Sequence, residues 1–481
     1  MNGRSLKKKR TAHPPGAFHA RPGWAWCLCL LGAGLSLCAA TTAAGPAVFA
    51  KSVQFDASFP YYTDRSPESV AAELKVNGYN TIRYIVVQES AANAKLVAAC
   101  RASGVAICYT TLGNGVYSTG DLPPGWEAWK MQTKHGGEHP ESFTYLCMNH
   151  PDYRRWKKSQ VVATLRRIPF DGFEMMESFW PAYEGPVSDG YGCLCGHCRA
   201  AFLRLHPAAK GIPNFTDASD PNYYRNNREL YQQWIEFRAA SVAAFLDDIV
   251  NGPDGVRTNF PGLPVAVWGI ADAVPDGVAR LKEWEGIDGA LLVRTVRPDC
   301  YVIQTDWPDW TKPNLAPAYI AQYKPFVDAI RATGSKVPIQ VQTDNGSREA
   351  CRRGSDWIQQ CELAGQQAGI AGVIAYEYHL SRDIYEAPPR PMRALGDSNT
   401  VTVIFNKRLN ALSAVDRAKY TVTPGSLLSV KADGNEVKLE VTGHPTRVTA
   451  RDLSDDPSRR LFKNYPAVAM PSPVTLPVDW R

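Results

Sequence analysis

Apolar and polar positions alternate in two ways along this chain. Short apolar, β-branched runs recur at Ser52–Asp56, Thr81–Val87, Val105–Thr111, Gly172–Glu177, Pro264–Ile270, Cys300–Thr305, Pro338–Thr343 and Gly372–Tyr378. Each has the length and residue types of a buried strand. Between them, Pro67–Asn77, Ala91–Ser103, Asp152–Arg167, Arg225–Asn251, Pro275–Glu285, Pro317–Thr333 and Ser355–Gly369 carry apolar residues at helical spacing. On Arg225–Asn251, for example, Leu230, Trp234, Phe237 and Val242 fall close to one face. Strands alternating with helices predict βα units and a parallel sheet. Eight strands and seven intervening helices predict a (β/α)8 TIM barrel. The place of a last outer helix, Asp383–Leu395, is Pro-rich and reads as non-helical.

Beyond Gly396 the period changes to two. Thr400–Phe405, Lys419–Thr423, Leu427–Ala432, Val437–Val441 and Arg447–Ala450 alternate apolar and polar, with turn residues such as Asp433-Gly434-Asn435 between them. These predict a small all-β sandwich, with an irregular tail from Pro466. The passage Val401–Lys407, with Asp416 and Tyr420-Thr421-Val422, resembles bacterial Ig-like modules, which implies a spacer or binding accessory.

At the other end, basic Arg4–Arg10 precedes an apolar run from Trp24 to about Ala40, and then the small residues Ala39–Ala44. That order is the anatomy of a signal peptide, and the run is short for a membrane span. Residues 1–50 are therefore expected to be a signal peptide and leader, cleaved after Ala44 or Ala50. Residues 51–395 would form the barrel, and 396–481 the β-sandwich and tail. The mature protein would be secreted or periplasmic, with no stable membrane span after cleavage. The net charge is +6, and Lys7–Arg10 belongs to the leader. No other basic run of five or more occurs, so no nucleic-acid partner is expected.

Of 12 cysteines, Cys27, Cys29 and Cys38 lie in the leader. The sharpest signal among the other nine is Cys193-Leu194-Cys195-Gly196-His197-Cys198. Thiolates at this spacing can wrap one tetrahedral cation, and structural zinc takes four such ligands. Cys147 or His197 could supply the fourth. Disulfides are the alternative in an oxidising compartment, and Cys351 could pair with Cys361.

The run Gly192–Phe202 is similar to the zinc-binding stretch of glycoside hydrolase family 42 β-galactosidases, where a Cys-aromatic-Cys-x-x-Cys motif enters an Arg-x-x-Phe helix. The family's fourth ligand lies upstream, before a Pro-x-Tyr-Arg helix start. Cys147-Met148-Asn149-His150-Pro151-Asp152-Tyr153-Arg154 stands at the matching place. The resemblance implies a structural zinc on Cys147, Cys193, Cys195 and Cys198, and no organic cofactor. It also implies an oligo- or polysaccharide substrate. Thirteen Trp and 21 Tyr would suit a cleft that stacks on sugar rings, although most such residues pack in cores.

Glycosidases need two carboxyl groups, and a barrel places them at the C-terminal ends of its strands. In the family the acid/base Glu ends strand four, which matches Glu177. Where the family has Asn before that Glu, this chain has Met176. Glu174 has the opposite strand parity. The second carboxylate could be Asp344 after strand seven, Asp306 after strand six or Glu377 after strand eight; N-capping is the ordinary use of Asp306 and Asp344. Asp56, Arg83, Tyr84, Trp180, Trp268, Gln342 and His379 are expected at the rim, with Trp268 and Trp307 as stacking platforms. No Gly-x-Ser-x-Gly, phosphate-binding loop or His-Glu-x-x-His motif occurs. The reading is a glycoside hydrolase working by two-carboxylate acid/base catalysis. A non-catalytic carbohydrate-binding or cell-surface protein on the same scaffold is the alternative. A hydrolase of another bond would want a His/Asp metal cluster.

Overall fold

The computed structural model describes residues 51–138, 143–182 and 184–480. The expected signal peptide lies outside them. Strands β1 (Ser52–Phe55), β2 (Thr81–Ile85), β3 (Ala106–Leu112), β4 (Gly172–Met176), β5 (Val265–Ala271), β6 (Cys300–Thr305), β7 (Ile339–Asp344) and β8 (Gly372–Tyr376) close into a parallel barrel. Neighbours in sequence are neighbours in space, and β8 pairs with β1 through Val53 and Ala375. Every expected strand is present, with ends shifted by at most two residues.

Helices α1 (Pro67–Val76), α2 (Ala94–Ala102), α3 (Pro151–Arg167), α4 (Gly196–Leu205), α5 (Arg228–Val250), α6 (Gly277–Glu285), α7 (Gly289–Val296), α8 (Lys324–Arg331) and α9 (Ser355–Gln367) lie between the strands. Local chemistry starts several of them. Ser66, Asn93, Asn227 and Asp288 each accept a backbone N–H of the first turn of α1, α2, α5 and α7. The periodicity reading missed α7, whose Gly289–Val296 is too short to show a clear period.

Strand residues alternate between two cores. Val53, Ile82, Ile107, Phe173, Val267, Ile303, Val341 and Val373 pack under the helices. Ile85, Cys108, Leu112, Met176, Trp268, Val302 and Ile374 fill the barrel interior. That interior also holds a buried polar layer. The Arg83 guanidinium pairs with Glu174 at 2.6 Å, both fully buried. Trp268 Nε1 and Thr110 Oγ1 donate to the other Glu174 oxygen at 3.1 and 3.3 Å.

After β8 the outer helix shrinks to α10 (Arg382–Glu386), as the Pro-rich sequence requires. The chain then enters two further sheets. One has five strands: β9 (Pro391–Asp397), β10 (Thr400–Phe405), β12 (Ser426–Asp433), β13 (Glu436–Thr442) and β16 (Asp479–Trp480), in the order β12-β13-β10-β9-β16. The other has β11 (Tyr420–Thr423), β14 (Arg447–Ala450) and β15 (Val474–Pro477), in the order β11-β14-β15. Their facing residues, among them Val401, Val403, Leu439, Tyr420 and Val448, share one core. The tail expected to be irregular supplies β15 and β16. Backbone pairing with Ala450 and Gly396 orders it, a long-range partner that local composition does not show.

These sheets sit against α1. Arg65 Nη2 donates to Asn435 Oδ1 at 2.7 Å, and Asn77 Nδ2 to the Asn406 carbonyl at 2.7 Å. Buried Lys407 pairs with Asp455 at 2.6 Å and donates to the Ile384 carbonyl of α10 at 2.9 Å. The β-region thus covers the flank that a full eighth helix would occupy beside α1. No helix among the described residues is long and apolar enough to cross a membrane.

Candidate active site at the barrel mouth

The C-terminal strand ends surround a cavity of about 560 Å³. Its lining divides by strand. Gln54 and Asp56 (β1), Gln304 and Thr305 (β6), Gln342 and Asp344 (β7) form a polar side. Ile85, Leu112 and Met176, from β2, β3 and β4, and Val87 just after β2 form an apolar side. Phe59, Tyr117, Trp310 and Tyr376 add aromatic surface, and Glu177 follows Met176 at the join.

Glu177 reaches the cavity through a backbone turn. Phe173 and Met175 face the helix layer, so simple alternation would send Glu177 outward as well. Its φ of 53° lies in the left-handed region, which costs a non-glycine residue about 1 kcal/mol or more. That turn redirects the carboxylate inward. Gln304 Nε2 donates to Glu177 Oε1 at 3.1 Å. Burial raises the Glu177 pKa, and this single neutral hydrogen bond opposes it.

Asp344 is held more firmly. The amides of Gly346 and Ser347 donate to its Oδ1 at 2.7 and 2.8 Å, and the Ser347 hydroxyl donates to Oδ2. Burial still raises its pKa, against those bonds and the field of Arg353. Asp56 lines the same cavity; its Oδ1 accepts the Ser58 amide at 2.9 Å, and burial raises its pKa too. Glu177, Asp344, Asp56 and Gln342 are therefore brought together.

The remaining candidates are placed elsewhere. Asp306 is buried beside the cavity and caps the turn Trp307–Trp310 through the Trp307 amide at 2.7 Å. Burial pushes its pKa up to about 7, against the Trp307 amide, with Asp272, Asp309 and Glu177 adding repulsion. Glu377 is fully buried under the mouth. It accepts from the Asp56 amide (2.6 Å), Tyr62 Oη (2.7 Å), and the amide and Nδ1 of His379 (2.8 and 2.7 Å). His379 is buried with it and packs on Phe59. Glu377 and His379 therefore brace β8 against β1 and do not reach the cleft.

Five further expectations for the cleft are corrected. Arg83 and Trp268 face inward but lie too deep, in the polar layer with Glu174. Tyr84 points the other way and packs against Phe55 and Phe170. Trp180 is buried and donates Nε1 to the Arg238 carbonyl at 3.1 Å. Trp307 is 47% exposed on its turn but outside the cavity lining, where Trp310 stands instead. Sequence reasoning also missed Gln54, Gln304 and Tyr376, all inward strand positions whose parity was available.

Away from the mouth, Cys147, Cys193, Cys195 and Cys198 are buried, with their sulfur atoms all within 4.8 Å of one another. Cys147 Sγ lies 3.5 Å from both Cys195 Sγ and Cys198 Sγ. Sulfurs around a tetrahedral zinc at about 2.3 Å stand roughly 3.8 Å apart, so the four could hold a metal ion. Asn149 Nδ2 and the Gln132 amide donate to Cys198 and Cys193, which suits thiolate sulfur. His197 lies outside this set. All nine described cysteines are free, so the Cys351–Cys361 pairing is not made.

The barrel superposes on the PgaB (BpsB) glycoside hydrolase domain of Bordetella bronchiseptica with a TM-score of 0.50 and 16% identity, over 68% of this chain and 93% of that one. The likeness shows the fold, a closed parallel (β/α)8 barrel. The β-amylase catalytic domain of Paenibacillus polymyxa aligns with a TM-score of 0.46 and 13% identity, over 68% and 92% of the two chains. No protein-family profile and no curated protein matches the sequence.

Proposed function

We propose that this chain is a glycoside hydrolase that cleaves an oligo- or polysaccharide at the barrel mouth. Glu177 is the general acid and Asp344 its partner carboxylate. The observation that carries this reading is that both line one cavity and that burial raises the pKa of each from its ordinary value. A general acid must be protonated when it meets substrate, and a raised pKa keeps Glu177 so at higher pH. Its left-handed backbone is the kind of outlier that gathers at functional sites. The four cysteines would hold a structural zinc, anchoring the segment between β4 and α4. The leader-like N-terminus supports export to the periplasm or the medium, with residues 51–395 as the catalytic part. The Ig-like resemblance supports 396–481 as an accessory, and its contacts with α1 and α10 add bracing for the barrel.

A non-catalytic carbohydrate-binding protein is the second reading. Two observations favour it: Met176 precedes Glu177, and both Asp344 oxygens already accept hydrogen bonds. Hydrolysis of a broad glycan and aryl-glycoside panel, by the protein and its Glu177→Gln variant, separates the two. Turnover lost in the variant, with folding and metal retained, supports the hydrolase. Equal turnover removes Glu177 from the chemistry. Saturable binding without turnover in either protein favours the binder. Elemental analysis should find one zinc per chain, lost in Cys195→Ser.

A further inference from the structure

Three barrel strands end alike. Gln54-Phe55-Asp56, Gln304-Thr305-Asp306 and Gln342-Thr343-Asp344 each place Gln two residues before Asp. A period of two puts every Gln on the inward face, and all three line the cavity. The Oε1 atom of each is buried with no partner in the protein. Gln54 and Gln342 are only 1% and 5% exposed. A buried amide oxygen without a partner is costly to the folded protein, and three on one wall point to a ligand that supplies donors.

The rest of the lining says what that ligand is. Asp56, Glu177 and Asp344 are its only charged residues, and no Lys, Arg or His lines the cavity among the described residues. Nearby cations are turned elsewhere. Arg353 donates to the carbonyls of Asp344, Trp310 and Lys312. The opposite side, Ile85, Val87, Leu112 and Met176, offers only apolar surface. A pyranose matches this split: its hydroxyls both donate to and accept from amides, and its C–H face suits an apolar wall. A carboxylate, sulfate or phosphate on the ring would meet three carboxyl groups with no countercharge.

We propose that Gln54, Gln304 and Gln342 form the sugar-recognition wall and restrict this site to pyranosides without anionic groups. The inference deepens the glycan-cleft reading and rests on it. It does not require turnover. Two kinds of measurement test it. Calorimetry compares neutral para-nitrophenyl glycosides (gluco, galacto and manno, both anomers) with the glucuronide and galacturonide, in the Glu177→Gln protein so that nothing is consumed. Thermal unfolding and the same titrations are then run on Gln54→Leu and Gln342→Leu. At least one neutral glycoside should bind and the uronides should not. Each Leu variant should bind that glycoside roughly tenfold more weakly, while its melting temperature stays level or rises, because a partnerless polar group has been removed. Uronide binding equal to neutral binding overturns the proposal, as does an absence of any binding. Leu variants that melt earlier yet bind normally also overturn it, since the amides would then be structural. Neutral binding with no turnover in the unmodified protein sinks the hydrolase reading and leaves the recognition wall standing.

Discussion

Glu174 and Glu177 sit three residues apart, on and just after β4, in opposite circumstances. Glu174 lies in the barrel interior, fully buried, with Arg83, Trp268 and Thr110 around it. Every lone pair that matters is used, and a cation offsets its charge. Glu177 opens on the cavity with a single neutral donor, Gln304, and burial raises its pKa. Glu377 is braced in the same way as Glu174, whereas Asp344 and Asp56 line the cavity while carrying protein donors of their own. In this barrel a strand-end carboxylate is structural when the protein supplies its partners, and available for chemistry when they are left to a ligand.

Exchanging charges on the two residues is the strongest way to break that comparison. Glu177→Gln should lower turnover by a factor on the order of 10² to 10⁴, with the melting temperature nearly unchanged. In the unmodified protein, kcat/KM should fall as pH rises through the raised Glu177 pKa, because the acid is then deprotonated. A pH–rate profile without an alkaline limb would contradict the assignment.

Glu174→Gln should do the reverse. It strands the Arg83 guanidinium in the interior, a loss of about 3–5 kcal/mol in denaturant unfolding. Full stability in that variant would show that the inner layer is not held by this pair.

Asp306 sharpens the comparison, being buried, outside the cavity and without an ion-pair partner among the described residues. Its pKa rises from 3.8 to about 7 on folding. The native state therefore holds the proton more tightly than the unfolded chain. Its contribution is fully present below pH 4, is lost as pH rises towards 7, and stays lost above. Asp306→Asn keeps the cap and removes the charge. It should stabilise the protein by up to about 4 kcal/mol at pH 8 and by little at pH 4. Equal melting temperatures of variant and parent at pH 8 would refute a buried charge there. The smallest effect is expected from Trp268→Phe, which keeps the ring packing and deletes one donor to Glu174, at about 1–3 kcal/mol.

Much of the barrel was legible in the amino-acid sequence. Each apolar run became a strand because buried parallel strands must be apolar on both faces. The cysteine cluster was legible because Cys193, Cys195 and Cys198 are close in sequence, and Cys147 joins them through the turn that starts α3. The mouth was only half legible. Parity puts Arg83 and Trp268 inward, which is correct, but does not say how deep. Tyr84 was excluded by the same parity, and Gln54 and Gln304 were included by it. Glu177 reached the cavity against parity, through a local φ of 53° that no periodicity encodes.

The amino-acid sequence by itself determined which segments are strands and helices, which face of each strand turns inward, and that four thiols have metal-ligand spacing. These follow from short-range rules of period, capping and ligand geometry. Only the tertiary structure decided which carboxyl groups stand without partners. That depends on side chains far apart in sequence meeting at one depth: Arg83 reaches Glu174 and Tyr62 reaches Glu377, while among the described residues no cation reaches Glu177. Burial and pairing set the charge state of a carboxyl group, and both are properties of the packed barrel.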